Sequence, residues 1–191
     1  MKRAMTLAIT LAAEIGAIAS TITPNGSAAV KICIEDSSRS LWLMRSESIA
    51  REIFAGIGIR IEWLHPRRCP ASSPGLIVIQ ISTGAPAARF PGALAYARLA
   101  ENTVEVFFNR IADTVPSVHI PTVLGYVLAH ETAHILEGVG RHSDEGLMKA
   151  IWSSRDFARM FSGPLPFAPE DVQLIRAGAA AFRRPALNTA R

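Results

Sequence analysis

The sequence predicts an α+β fold, a mixed sheet of five strands, one of them antiparallel, with helices packed on it. Three observations carry this. Residues 29–35 and 59–64 alternate apolar and polar, and the stretch between them has helical periodicity, the pattern of a parallel strand–helix–strand unit with a right-handed crossover. Leu76-Ile77-Val78-Ile79 is a continuous apolar run, which predicts a central strand buried on both faces. Residues 93–99 and 103–111 read as two more strands, and the three residues between them suit a hairpin, which supplies the antiparallel strand.

Taken in order, the first strand covers residues 29–35. Asp36, Ser37, Ser38 and Ser40 then offer side chains that cap a helix. Leu43, Ala50, Ile53, Phe54 and Ile57 recur at three-, four- and seven-residue spacings, one apolar stripe that faces a core, and Gly56 and Gly58 end the helix. Residues 59–64 form the second strand, the proline-rich stretch 66–74 a loop, and residues 75–82 the third strand. After another loop at 86–92 comes the hairpin of 93–99 and 103–111. The apolar segment Leu124-Gly125-Tyr126-Val127-Leu128-Ala129 suits a buried helix, with Tyr126 in the core. Residues 153–161 predict a short helix. Pro169, Glu170 and Asp171 open another that runs towards Phe182, with proline and acids in the first turn where the helix dipole favours them.

Length and composition agree with one domain. A chain of 191 residues with 49% hydrophobic side chains can bury a single core, and it is too apolar for disorder. The net charge of +4 comes almost wholly from arginines scattered along the chain, which reads as a solvated surface and not as a nucleic-acid footprint. The N-terminus reads as a targeting segment. Lys2 and Arg3 precede a largely apolar run, interrupted by Glu14, and Ala17-Ile18-Ala19 matches a cleavage site. Residues 1–19 are therefore expected to be a signal peptide, with a second cleavage point near Ala28 and a cytosolic N-terminal helix as the other reading. Residues 20–191 are expected to form a single domain, a monomer, secreted or periplasmic. No later segment has the eighteen or so apolar residues of a membrane span, so no stable membrane insertion is expected. The two cysteines, Cys33 and Cys69, lack C-x-x-C spacing. In an oxidising compartment they can form one bridge, and otherwise they are two free thiols.

The chemistry concentrates in His130-Glu131-Thr132-Ala133-His134. Positions i and i+4 share one helical face, so His130 and His134 can reach one zinc ion, and Glu131 can act on a water the metal activates. With 5 histidines in 191 residues, chance yields such a match in about 0.7 per cent of chains of this composition. Two ligands leave a catalytic zinc site incomplete, since three protein ligands plus water are usual. Gly138 and Gly140 follow and can stop the helix and turn the chain back. Next come His142 and, in Gly146-Leu147-Met148, a methionine.

This order, H-E-x-x-H, glycine stop, third histidine, methionine, resembles the metzincin clan of zinc metallopeptidases, whose motif is H-E-x-x-H-x-x-G-x-x-H with a methionine-containing turn beneath the metal. His142 lies eight residues after His134 where the clan has six, and the glycine lies four after it instead of three. The stretch from His142 to Met148 also resembles a group of small bacterial secreted peptidase-like proteins, over roughly Ala29 to Arg184. The resemblance implies that His130, His134 and His142 are zinc ligands, that Glu131 is the general base and that Met148 is the turn methionine. It implies a metzincin-like sheet whose antiparallel edge strand, residues 93–99, binds substrate, packed on a backing helix and an active-site helix, with a small C-terminal helical subdomain. The expected function is zinc-dependent endopeptidase, acting on a peptide or protein substrate. The alternatives are a non-catalytic zinc-stabilised module that binds a partner, and a basic binding protein without metal.

Other residues compete for these roles. Asp144 and Glu145 rival His142 for the third ligand position, and Glu170 could mimic a downstream glutamate ligand. His65 and His119 read as ordinary loop histidines, and Glu137 as a solvated acid at the helix end. Without the histidines, Met148 would read as core filling. No G-x-S-x-G and no glycine-rich phosphate loop supports a different enzyme chemistry.

Overall fold

Val30–Ile34 (β1) leads into a helix at Leu41–Gly56 (α1), which returns the chain to Ile61–Leu64 (β2) in parallel with β1. The computed structural model describes residues 29–36, 40–70, 75–83 and 91–182, so the expected signal peptide lies outside the described residues. Leu76–Ser82 (β3) pairs in parallel with the other side of β1. Ala95–Arg98 (β4) and Thr103–Phe107 (β5) form the hairpin, and β5 inserts between β3 and β4. The result is a five-stranded mixed sheet in the order β2-β1-β3-β5-β4, with β4 as the antiparallel edge. Asn102 takes the left-handed conformation (φ 51°) at the turn, one that asparagine tolerates better than most residues.

Phe108–Thr114 (α2), Ile120–Glu137 (α3), Ser154–Ser162 (α4) and Pro169–Phe182 (α5) are the remaining α-helices among the described residues. The pleat decides which strand residues meet the helices. Ile32, Ile34, Ile77, Ile79, Val104 and Val106 share one face by register and are buried in one cluster with Leu43 and Phe54 of α1 and Leu124 and Leu128 of α3. Full burial of such a side chain is worth about 1.5–3 kcal/mol, so this layer holds the fold together. Gly178 lets α5 cross the end of α3, because a Cβ there would stand 1.5 Å from Leu136 O.

The opposite face is different. Lys31, Glu35, Glu62, Gln80 and Tyr96 are exposed there, and a small cluster of Cys33, Leu64 and Leu76 is covered by Cys69. A disulfide joins Cys33 to Cys69, with the Cα atoms 5.7 Å apart. β3 is central as expected, but it is not buried on both faces. The disulfide loop covers only its first residues, and Gln80 beyond them is exposed.

One further expectation fails. The fifth strand stops at Phe107 and does not reach Ile111. Burial shifts from the alternate residues Val104 and Val106 to Phe107 and Ile111, four apart, which is helical spacing. The Asn109 amide donates to the Thr83 carbonyl at the start of this helix. Helices α4 and α5 begin within a residue of their expected starts. Ser153 caps α4, and Ser153 and Asp156 complete a reciprocal capping pair.

A candidate metal centre in the cleft beside the edge strand

Helix α3 is buried all round from Val123 to Leu136, and its last two turns carry His130, Glu131 and His134, each under a tenth exposed. Gly138 ends the helix in the left-handed conformation (φ 69°), its N–H donating to His134 O. The chain then folds back through Gly140 and sets His142 beside the other two. One ring nitrogen from each of His130, His134 and His142 lies within 4.8 Å of the others.

Backbone carbonyls orient two of these rings. His130 Nδ1 meets Leu147 O at 3.0 Å and His134 Nδ1 meets Val139 O at 3.3 Å. A carbonyl only accepts, so each Nδ1 carries the proton and each Nε2 presents a lone pair. The two Nε2 atoms stand 3.0 Å apart. Two lone pairs facing at that distance repel unless a cation lies between them. Tetrahedral zinc, about 2.0–2.1 Å from each nitrogen, sets ligand nitrogens roughly 3.3–3.4 Å apart. The donor set therefore fits a divalent metal. Electrostatics point the same way. Burial, then His134, depress His130 to about 3, and burial, then His142, depress His134 to about 4. His142 is also depressed by burial. All three rings are neutral at pH 7, as ligands must be.

Glu131 faces the edge strand. Burial pushes its carboxyl up to about 8, opposed by a hydrogen bond from the Ala97 backbone of β4. A cleft of about 600 Å³ opens here, lined by Ala95, Tyr96 and Ala97 of β4, by His130, Glu131, His134 and His142, and by Ile151, Trp152 and Phe157. Met148 is buried in the turn that follows His142. Gly146 makes this turn possible. Its φ is +75°, and a Cβ would press on Pro166 O at 2.6 Å. Leu147 O accepts from both His130 and the Trp152 indole, the latter at 3.0 Å.

Asp144 and Glu145 are exposed and stand outside the histidine cluster, and Glu170 is exposed at the start of α5. His65 lies 3.7 Å from Glu47, and His119 stacks on Phe161, so neither joins the cluster. Tyr126 is core, and its hydroxyl accepts the Leu165 N–H at 2.9 Å. Glu137 is not the solvated acid that its place at a helix end suggests. Its side chain is fully buried where α5 crosses the end of α3, with Arg141 Nε 3.7 Å away, and burial raises it to about 7. Sequence reasoning missed three other participants, Arg141, Ser143 and Asp171. Asp171 is wholly buried and binds both of the others. As a first-turn acid it reads as a dipole partner, and no spacing rule marks it as reaching back to the loop.

Among the described residues, no helix is long and apolar enough to cross a membrane. No protein-family model and no curated protein sequence matches the chain. Among solved structures, the chain has a likeness to a zinc-dependent peptidase from Methanocorpusculum labreanum (strain Z), at a TM-score of 0.49 and 12% identity, covering 76% of this chain and 98% of that one; the likeness is too distant to bear on function.

Proposed function

We propose that this chain is a zinc-dependent endopeptidase with a metzincin-like site, exported to the periplasm or beyond. One observation carries the reading. Three neutral imidazoles converge, and a buried carboxyl group stands next to them in a cleft floored by both and walled by an edge strand. A purely structural metal site has no need of that carboxyl group.

His130, His134 and His142 would hold the metal. Zinc, when bound, supplies Lewis-acid polarisation of a carbonyl and lowers the pKa of water to about 7. A cation held by the three histidines would favour the ionised form of Glu131, whose carboxylate would take the proton of the attacking water and deliver it to the leaving amine. The antiparallel edge β4 offers main-chain groups to an extended peptide, which fixes the scissile bond over the floor of the cleft. The Cys33–Cys69 bridge supports an oxidising compartment.

The test is zinc analysis together with cleavage of a peptide library, on wild type and Glu131→Gln in parallel. Zinc at one equivalent with cleavage by wild type alone supports the proposal. Zinc without cleavage by either protein would make the chain a zinc-stabilised binding module, and no zinc after chelator-free purification would remove the metal altogether.

A further inference from the structure

His130 and His134 share one helix, and a carbonyl holds each ring. His142 arrives on the turn beyond Gly140, eight residues after His134, and is the exposed member of the three. What is tied down is the chain on either side of it. Arg141 Nη2 donates to Asp171 Oδ1 at 2.6 Å, and Ser143 Oγ donates to the same oxygen at 2.6 Å. The other oxygen, Oδ2, accepts the Ala168 N–H at 3.2 Å. Ser143 N–H donates to Met148 O at 2.9 Å.

We infer that Asp171 is a positioning residue for His142. Residues i−1 and i+1 both reach one oxygen atom, and this sets the direction in which residue i projects from the loop. Asp171 thereby does for the third histidine what Leu147 O and Val139 O do for the first two. Capping of α5 does not account for the arrangement, because the bond from Ala168 uses only Oδ2. A wholly buried carboxylate is costly unless paired and hydrogen-bonded, and here two of its three donors come from the loop that carries His142. Arg141 also lies 3.7 Å from the buried Glu137. Once the charge on Asp171 is lost, Arg141 has another carboxylate to turn to, so the loop shifts and does not merely loosen.

The inference rests on the reading of the three histidines as a ligand set, and two measurements on the full chain keep the two apart. The first is a double-mutant cycle on zinc affinity, read by chelator competition, with Asp171→Asn and His142→Ala singly and together. Asp171→Asn should weaken zinc by about 10–100-fold in the wild-type background, the usual effect of a residue that orients a ligand, and by less than about threefold once His142 is gone. Equal losses in both backgrounds, or no loss in a folded Asp171→Asn protein, would overturn the inference. Should Asp171→Asn fail to fold, Ser143→Ala removes one of the two loop bonds and takes its place in the cycle. The second measurement is amide hydrogen exchange of the metal-free protein. Exchange at residues 141–143 should accelerate in Asp171→Asn while α1 and the sheet stay protected. If wild type takes up no zinc, the functional reading falls. Exchange then decides the positioning role alone, and unchanged exchange there would overturn it.

Discussion

Removing the disulfide, as Cys33→Ala with Cys69→Ala, should lower stability by nearly 4 kcal/mol without touching the candidate metal site. The bridged residues are 36 apart in sequence. The chain-entropy relation for such a loop amounts to roughly 12.8 cal/mol/K, or ~3.8 kcal/mol at 25 °C. The Cα separation of 5.7 Å is ordinary for a bridge, so no native-state distortion offsets this. Alanine keeps the apolar setting of Cys33 beside Leu64 and Leu76, where serine would bury a hydroxyl. In a domain of this size the loss corresponds to about 8–15 °C in Tm. The assay is urea unfolding of both proteins at equal zinc, with m-values compared so that altered cooperativity is not mistaken for stability. The bridge lies on the sheet face away from α1 and α3, so zinc affinity should be unchanged in the folded variant. A loss below ~1 kcal/mol in extrapolated unfolding free energy, against the 2–5 kcal/mol typical of native bridges, would refute the entropic argument, and a fall in zinc affinity would refute the separation of the two faces.

Four further outcomes are expected. Glu131→Gln should retain zinc and lose about 10²–10⁴-fold in hydrolysis, read as kcat on a cleaved library peptide, and equal rates would remove the general-base role. His142→Ala should weaken zinc binding in a chelator titration, whereas Asp144→Ala, Glu145→Ala and His119→Ala should not; the reverse pattern would transfer the third ligand to a carboxylate. Gly178→Ala should cost roughly 3 kcal/mol or more, since its Cβ would enter Leu136 O, while Gly56→Ala, with no atom within 4 Å of its Cβ, should be neutral or better by thermal melting. Asp156 is held down to about 2, first by the Lys149 amine at 2.5 Å and then by Ser153. Its folded pKa is depressed, so its contribution is present above the ordinary carboxylate value near 3.8 and fades as pH falls towards 2. The cost of Asp156→Asn in denaturant midpoint should therefore shrink between pH 4 and pH 2 and stay constant above pH 5.

Local periodicity made much of the fold legible. The β1–α1–β2 unit, the hairpin and the last two helices are written in patterns a few residues long, and each lies within a few residues of its expected bounds. The H-E-x-x-H pair is equally local, because the helix alone brings positions i and i+4 together. What could not be read depends on elements far apart in sequence. Phe107 and Ile111 continue an apolar run that serves strand or helix, and only packing chooses. Leu76 and Val78 look doubly buried, yet with α1 and α3 on one side the other face has only the disulfide loop to cover it. Glu137 has the composition of a solvated helix end until α5 lies across it. Asp171 meets Arg141 some thirty residues away, and that contact exists only once the last helix has docked.

The carbonyl of Leu147 serves two masters. It is the acceptor that fixes which nitrogen of His130 faces the cleft, and it anchors the indole of Trp152 in the cleft wall. A carbonyl oxygen has two lone pairs, and both are engaged. It cannot follow one ring without drawing away from the other. The cleft wall and the histidine cluster are thus geared through a single atom, so that a side chain wedged against Trp152 is felt at His130 without touching it. Under the proposed function, recognition and reactivity in this cleft would share a mechanical linkage one residue long.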